Sequence, residues 1–252
     1  MKIHFISDLH CDFTPYEHQL PECDVAIIAG DVGEHSLYLE EIIKNNPERQ
    51  VVFVPGNHDY YGCSIKEKDL EFKNLETKFC NFKYLQNDWI EIDDVAIFGA
   101  TLWSNLDAYK NAVWNFQLKR WYTTGINDCF NIKGWDTEEM INEFETAISS
   151  LKLFEEQCRE KKKVIVTHFA PSLMSVAEKF KNETPFNSYW CNGLSDELVA
   201  KFDLWIHGHT HTSLDYEINH FSLPERSCRV MCNPKGYNKE NLEFDPELIV
   251  EI

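Results

Sequence analysis

Apolar residues along this chain gather in short, nearly unbroken runs, each closed by polar or glycine-bearing turns. KIHFIS (2–7), DVAIIAG (24–30), VVFVPG (51–56), VAIFGA (95–100), VIVTH (164–168) and DLWIHG (203–208) have the length and Val/Ile content of strands buried on both faces. Two stretches have helical spacing instead. SLYLEEIIKNN (36–46) is amphipathic and falls between the second and third runs. DTEEMINEFETAISSLKLFEEQCRE (136–160) sets Met140, Ile141, Phe144, Ala147, Ile148, Leu151 and Phe154 on one stripe that reads as core packing. Asp136 with Glu139 gives it a capping-box start, and Trp135 can staple onto Met140. Lys161, Lys162 and Lys163 suit the C-terminal end of that helix. The alternation predicts an α/β fold with helices covering sheet faces. After residue 213, SLDYEI, CRVMCN and ELIVEI predict a second antiparallel or mixed sheet.

The segment 101–135 breaks the alternation and carries Trp103, Trp114, Phe116, Trp121 and Tyr122. Two readings fit it equally: a cap that shapes a substrate pocket, or a satellite cluster packed beneath a long loop. Composition adds one constraint. The net charge of −18 over 252 residues opposes binding to long nucleic acid, so a polyanionic partner would need a local positive feature. Nine cysteines, an odd number with no C-x-x-C pair, indicate neither a disulfide framework nor a thiolate zinc site, and are expected as reduced thiols in a cytoplasmic protein. The N-terminus has no long apolar core of a signal peptide, and no run approaches the ~18 apolar residues of a membrane span.

The chemistry lies where the strands end. The first is followed by Asp8 and His10, the second by Asp31, the third by Asn57, His58 and Asp59, the fifth by His168, and the sixth leads into His207, His209 and His211. In open α/β sheets ligands sit beyond the carboxyl ends of the strands, so one rim collects carboxylate, imidazole and amide groups. A set of Asp, Asn and His without Cys suits Mn, Fe, Zn or a similar divalent ion and is too imidazole-rich for Ca or Mg. Seven ligands are too many for one tetrahedral ion but suit two ions sharing a carboxylate.

In this order Asp8-x-His10, Gly30-Asp31, Gly56-Asn57-His58-Asp59, His168 and Gly208-His209-Thr210-His211 resemble the signature blocks of the calcineurin-like metallophosphoesterase superfamily. TLWSN, THFAPS and CNPKGY bring the chain nearest to its small bacterial and phage-type members. The resemblance implies a four-layer αββα sandwich of two mixed sheets flanked by helices, as one domain over 1–252 with a cap insertion at about 101–135. It implies one metal held by Asp8, His10 and His211, a second held by Asn57, His168 and His209, and Asp31 bridging them. Mn is favoured among Mn, Fe, Zn and Ni. A metal-bridging hydroxide would attack phosphorus in line, His58 would protonate the leaving oxygen, and Asp59 would orient the His58 ring. His207 falls outside the motif and reads as packing.

Two departures bear on substrate. The superfamily's protein phosphatases carry GDxVDRG, whose arginine grips a dianionic phosphate; GDVGEHS here has none. That favours phosphodiesters or small nucleotide esters over phosphomonoesters and phosphoproteins, unless Lys119 or Arg120 supplies the missing cation. The aromatic residues of 101–135 could then stack on a base. Phe169 stands where relatives often have a second histidine. A non-catalytic scaffold on the same fold is the reading from a different class; the intact ligand set and His58 speak against it.

Overall fold

The computed structural model describes residues 1–223 and 225–252. Among the described residues, eleven strands form two sheets. The first has the order β11-β1-β2-β3-β4, with β1 Lys2–Ile6, β2 Val25–Ala29, β3 Val51–Val54 and β4 Phe82–Tyr84 parallel, and β11 Ile249–Glu251 antiparallel to β1. The second has the order β5-β6-β7-β8-β10-β9. In it β6 Val95–Ala100, β7 Lys162–Thr167, β8 Leu204–His207 and β10 Ser227–Cys232 run parallel between antiparallel edges β5 Asp88–Ile92 and β9 Leu214–Asn219.

The apolar runs are continuous because both faces of these strands are covered. Along β2, Val25, Ile27 and Ala29 pack between the sheets, against Val95, Ile97, Val164, Val166 and Ile206. Ala26 and Ile28 alternate to the other side, where α1 Ser36–Asn45 and α2 Ile65–Lys78 bring Leu39, Ile42, Ile43, Phe72 and Leu75. On the outer face of the second sheet α5 Thr137–Gln157 lays Met140, Phe144, Ala147, Leu151 and Phe154 onto Phe98, Ile165, Trp205 and Val230. The result is the αββα order of four layers.

Three expectations need correction. The six runs belong to two sheets, and ELIVEI joins the first sheet, not the second, because β11 pairs with β1. Ile141 and Ile148 of the α5 stripe are only partly buried. The three lysines do not cap α5: the helix ends at Gln157, Lys162 and Lys163 begin β7, and Lys161 Nζ donates to the Asp93 carbonyl at 2.6 Å. At the helix start Asp136 does cap, accepting from the N–H groups of Glu138 and Glu139.

The segment 101–135 contributes both to the core and to a cavity wall. Trp103, Leu118, Tyr122, Ile132 and Trp135 are buried in the cluster beneath α5. Its short helices, α3 Ala112–Gly125 and α4 Asp128–Asn131, also bring Gly125, Ile126, Asn127 and Asp128 to the wall of the main cavity. α6 Asn187–Trp190 stands across from them on that wall.

Candidate metal centre

The loops after β1, β2, β3, β7 and β8 meet where the carboxyl ends of the two sheets come together. Each loop turns sharply as it leaves its strand, and most do so through left-handed backbone at the functional residues. Asp8, His10, Asp31, His209 and His211 have φ between 44° and 68°, a conformation costing about 1–3 kcal/mol per residue. Such strain persists only where surrounding bonds hold it. His10 N donates to the Asp31 carbonyl at 3.0 Å, Asp8 N to the Gly30 carbonyl at 2.9 Å, and His209 N to the Asp8 carboxylate at 3.0 Å. The last bond ties the two sheets' loops together.

The seven residues gather as Asp8 with His10 and His211, and as Asp31 with His168 and His209, with Asn57 on the second; a further grouping joins His10 and Asp31 to His58. In the first, His10 Nε2 lies 3.1 Å from His211 Nε2, which lies 3.2 Å from Asp8 Oδ1. In the second, His168 Nε2 lies 3.2 Å from both Asn57 Oδ1 and His209 Nδ1. Asp31 stands between them, its Oδ2 3.3 Å from His168 Nε2 and 3.8 Å from His10 Nε2.

A divalent cation fits each group on two grounds. The first is proton accounting. His168 Nδ1 is 2.9 Å from the Ala29 carbonyl and must carry its proton there, so neutral His168 turns a bare Nε2 toward two acceptors, Asn57 Oδ1 and Asp31 Oδ2. His211 Nδ1 likewise faces Glu240 Oε2 at 2.7 Å, leaving its Nε2 bare against His10 and Asp8. Acceptors converging on acceptors call for a positive ion. The second ground is distance: ligand atoms about 2.0–2.1 Å from one ion at angles of 90–109° are about 2.8–3.4 Å apart, which spans the 3.1 and 3.2 Å separations here.

Without metal, protons take the place of that charge. Burial disfavours a charged His168, but Asp31 and then Asp8 outweigh it and raise the ring to about 9. His211 also overcomes burial, through Asp8 and Glu240, and rises to about 9. Burial dominates at His10, which falls to about 4 despite Asp31, and at His209, which falls well below its ordinary value. Asp31 is held well below the carboxylate range, burial being outweighed by His168, His58 and His10.

His58 and Asp59 part company. The His58 ring lies against Tyr61 at 4.4 Å and edge-on to His10 at 4.9 Å, with Nε2 3.3 Å from the Tyr237 hydroxyl. Asp59 makes no hydrogen bond to it. Its carboxylate accepts from the backbone N–H groups of Asp31 and Gly56 at 2.7 Å on one oxygen, and of Val32 and Gly33 at 2.9 and 3.2 Å on the other. Asp59 therefore clamps the two metal-site loops; adjacent side chains of the short turn His58–Tyr60 diverge. His207, as expected, is buried packing, with Nε2 2.8 Å from Ser175 Oγ and Nδ1 2.8 Å from the Gly208 carbonyl. The Phe169 ring lies tilted against His209, with centroids 4.0 Å apart.

The centre opens into a cavity of about 390 Å³. Its aromatic lining is Tyr61, Phe180, Tyr189, Trp190 and Tyr237. None of the aromatics of 101–135 reaches it, so base stacking by those residues is not what the structure offers. Lys119 and Arg120 are absent from this lining too; Arg120 borders a separate shallow depression with Val113 and Phe116. Asp128, Tyr237 and Glu240 are the site residues that sequence reasoning missed. Tyr237 lay within CNPKGY, a visible signal without a role; Asp128 and Glu240 reach the site only through the tertiary fold.

Two mixed sheets between helices, with clustered Asp, Asn and His at their joined rims, define a metal-dependent phosphoester hydrolase. The model of the calcineurin-like phosphoesterase family matches residues 1–213, and the chain belongs to that family. It is 24% identical to an uncharacterized protein of Acanthamoeba polyphaga mimivirus, the match covering 99% of this chain and 96% of that protein. It is also similar to the crystal structure of the phosphopantetheinyl hydrolase of Mycobacterium tuberculosis: TM-score 0.69, 16% identity, 95% of this chain and 90% of that one. Among the described residues, no helix is long and apolar enough to cross a membrane.

Proposed function

We propose that this enzyme hydrolyses small phosphodiesters at a dinuclear centre. Asp8, His10 and His211 would hold one ion and Asn57, His168 and His209 the other, with Asp31 between them. Such a pair of ions, once bound, supplies hydroxide near neutral pH and neutralises charge at the transferring phosphoryl group. The chain does the rest. Asp59 holds the Asp31 and Gly56 loops in place; Asp31 Oδ1 accepts the His58 N–H at 2.9 Å, which seats His58 beside the centre. His58 gives the leaving oxygen its proton, work that contributes about 10²–10⁴-fold. The Tyr237 hydroxyl on Nε2 fixes the ring in the role first assigned to Asp59.

The observation that carries the diester reading is the charge of the cavity wall. Among the described residues no lysine or arginine lines it, while Glu183 and Glu240 do. A dianionic monoester or a polyphosphate would meet carboxylates beyond the ions; a diester brings a single charge. The cavity volume suits a small ester. The similar phosphopantetheinyl hydrolase, by its name, hydrolyses a phosphopantetheinyl group, which supports phosphoester hydrolysis on this fold. Manganese is the ion we favour.

The test is hydrolysis of a chromogenic phosphodiester and the matching monoester by Mn²⁺-loaded protein, with His58→Ala alongside. Diester preference lost in the variant is expected. Monoester preference would overturn the argument from the cavity wall, and equal rates with His58→Ala would remove the proton donor.

A further inference from the structure

Asp128, the first residue of α4, is buried, and four donors converge on its carboxylate. Oδ1 accepts from Asn57 Nδ2 at 2.9 Å and from the Tyr61 hydroxyl at 2.8 Å. Oδ2 accepts from the Tyr189 hydroxyl at 2.7 Å and the Tyr122 hydroxyl at 3.2 Å. Tyr122 in turn accepts from Trp135 Nε1 at 2.8 Å, so its own proton is committed to Asp128.

We propose that Asp128 is a positioning residue: by accepting from the Asn57 amide nitrogen it turns the Asn57 amide oxygen toward the second metal position, and so makes metal binding there depend on the insertion. An amide has two faces of nearly equal shape and opposite polarity. Nothing in the shape of the pocket stops Asn57 from presenting its NH₂ to the ion, which would be a repelling donor instead of a ligand. Asp128 breaks that symmetry because a carboxylate only accepts. The three tyrosines hold the carboxylate in turn, and two of them, Tyr61 and Tyr189, also line the cavity. Substrate pocket and second metal position thus share one anchor. The proposal rests on the reading of Asn57 as a metal ligand given above.

The bond directions define a swap. In Asp128→Asn, the hydroxyls of Tyr122 and Tyr189 keep their acceptor if the new amide nitrogen takes the Oδ1 position. There it faces the Asn57 amide nitrogen and forces that amide to flip. In the double variant Asn57→Asp/Asp128→Asn the same nitrogen donates to the carboxylate introduced at position 57, whose other oxygen remains free for the ion. Outer hydrogen-bond partners of this kind are worth about 10–100-fold in metal affinity.

The experiment titrates metal-stripped full-length protein with Mn²⁺ and counts ions per chain, with thermal melts of the metal-free proteins alongside. We expect wild type to bind two ions. Asp128→Asn should weaken the second about 10–100-fold and leave the first, and the double variant should recover most of that loss. Unchanged binding by Asp128→Asn, or a double variant no better than the single, overturns the proposal. A merely structural Asp128 would lower the melting temperature of both variants without restoring metal in the swap. If Asp128→Asn fails to fold, Asn57→Asp against the double variant makes the same comparison, because two facing carboxylates replace two facing amides. Two tightly bound ions in Asn57→Ala would show that Asn57 is no ligand and overturn both readings. Loss of one ion in Asn57→Ala but not in Asp128→Asn overturns this one alone.

Discussion

Replacing Asp59 by asparagine separates the two roles that residue can have. Each carboxylate oxygen accepts two backbone N–H groups, Asp31 and Gly56 on one and Val32 and Gly33 on the other. Asparagine keeps one acceptor oxygen and turns an NH₂ toward the other pair. Two buried donors then lose their acceptor, at about 1–3 kcal/mol each, or about 2–6 kcal/mol together. For a chain of 252 residues that corresponds to a drop in melting temperature of roughly 5–20 °C. The assay is thermal and urea unfolding of the metal-free proteins, so that metal binding does not enter, with His58→Ala as control. A loop clamp predicts a large loss for Asp59→Asn and little for His58→Ala, whose ring packs at the half-buried mouth. An Asp59 that acted through the His58 ring would do the opposite: unfolding unchanged, and the pH profile of hydrolysis displaced. That result would refute the reasoning.

Two further outcomes follow from the packing and charge of the centre. A methyl group at Gly56 would lie 2.1 Å from Asp31 Oδ1 and 2.7 Å from His168 Cε1; the ~1 Å retreat this demands of Asp31 exceeds the ~0.2 Å tolerance of metal ligands, so Gly56→Ala should lose metal and about 10²-fold or more of its rate, and near-normal metal content would show that the Asp31 carboxylate can yield. Because His168 and His211 sit at about 9 in the metal-free chain, above their ordinary 6.5, each holds a proton below that pH that an ion must displace. Metal affinity should therefore rise with pH up to about 9 and level off above it, with protons released on binding; calorimetry in buffers of different ionisation enthalpy reads this directly, and a pH-independent affinity would contradict it.

Much of the fold was readable because a strand covered on both faces is a continuous apolar run, and all six such runs became strands. Two sheets were expected from the family resemblance, but which run belongs to which was not readable: Val25–Ala29 and Val164–Val166 look alike in sequence whichever sheet holds them. Strands β4 and β5 are short or half-exposed, and α2 buries only Lys68, Phe72 and Leu75 in a charged sequence, so none of the three announces itself. The candidate ligands could be singled out because each follows a strand end, and the fold brings them together. What adjacency could not show was direction. Asp59 follows His58 yet turns away from it to the backbone, whereas Tyr237 and Asp128, 179 and 71 positions away from their partners, supply the contacts to His58 and Asn57. Such contacts are made by the tertiary fold, and no local pattern carries them.

The central claim is that His209 and His211, two residues apart on one loop, serve different ions. Counting Mn²⁺ per chain in stripped and reloaded protein tests it, with His209→Ala, His211→Ala and the double variant at one free-metal concentration. The account predicts two ions in wild type, one in each single variant and none in the double variant. One ion retained by the double variant would mean that both histidines serve the same position, and would contradict the dinuclear assignment.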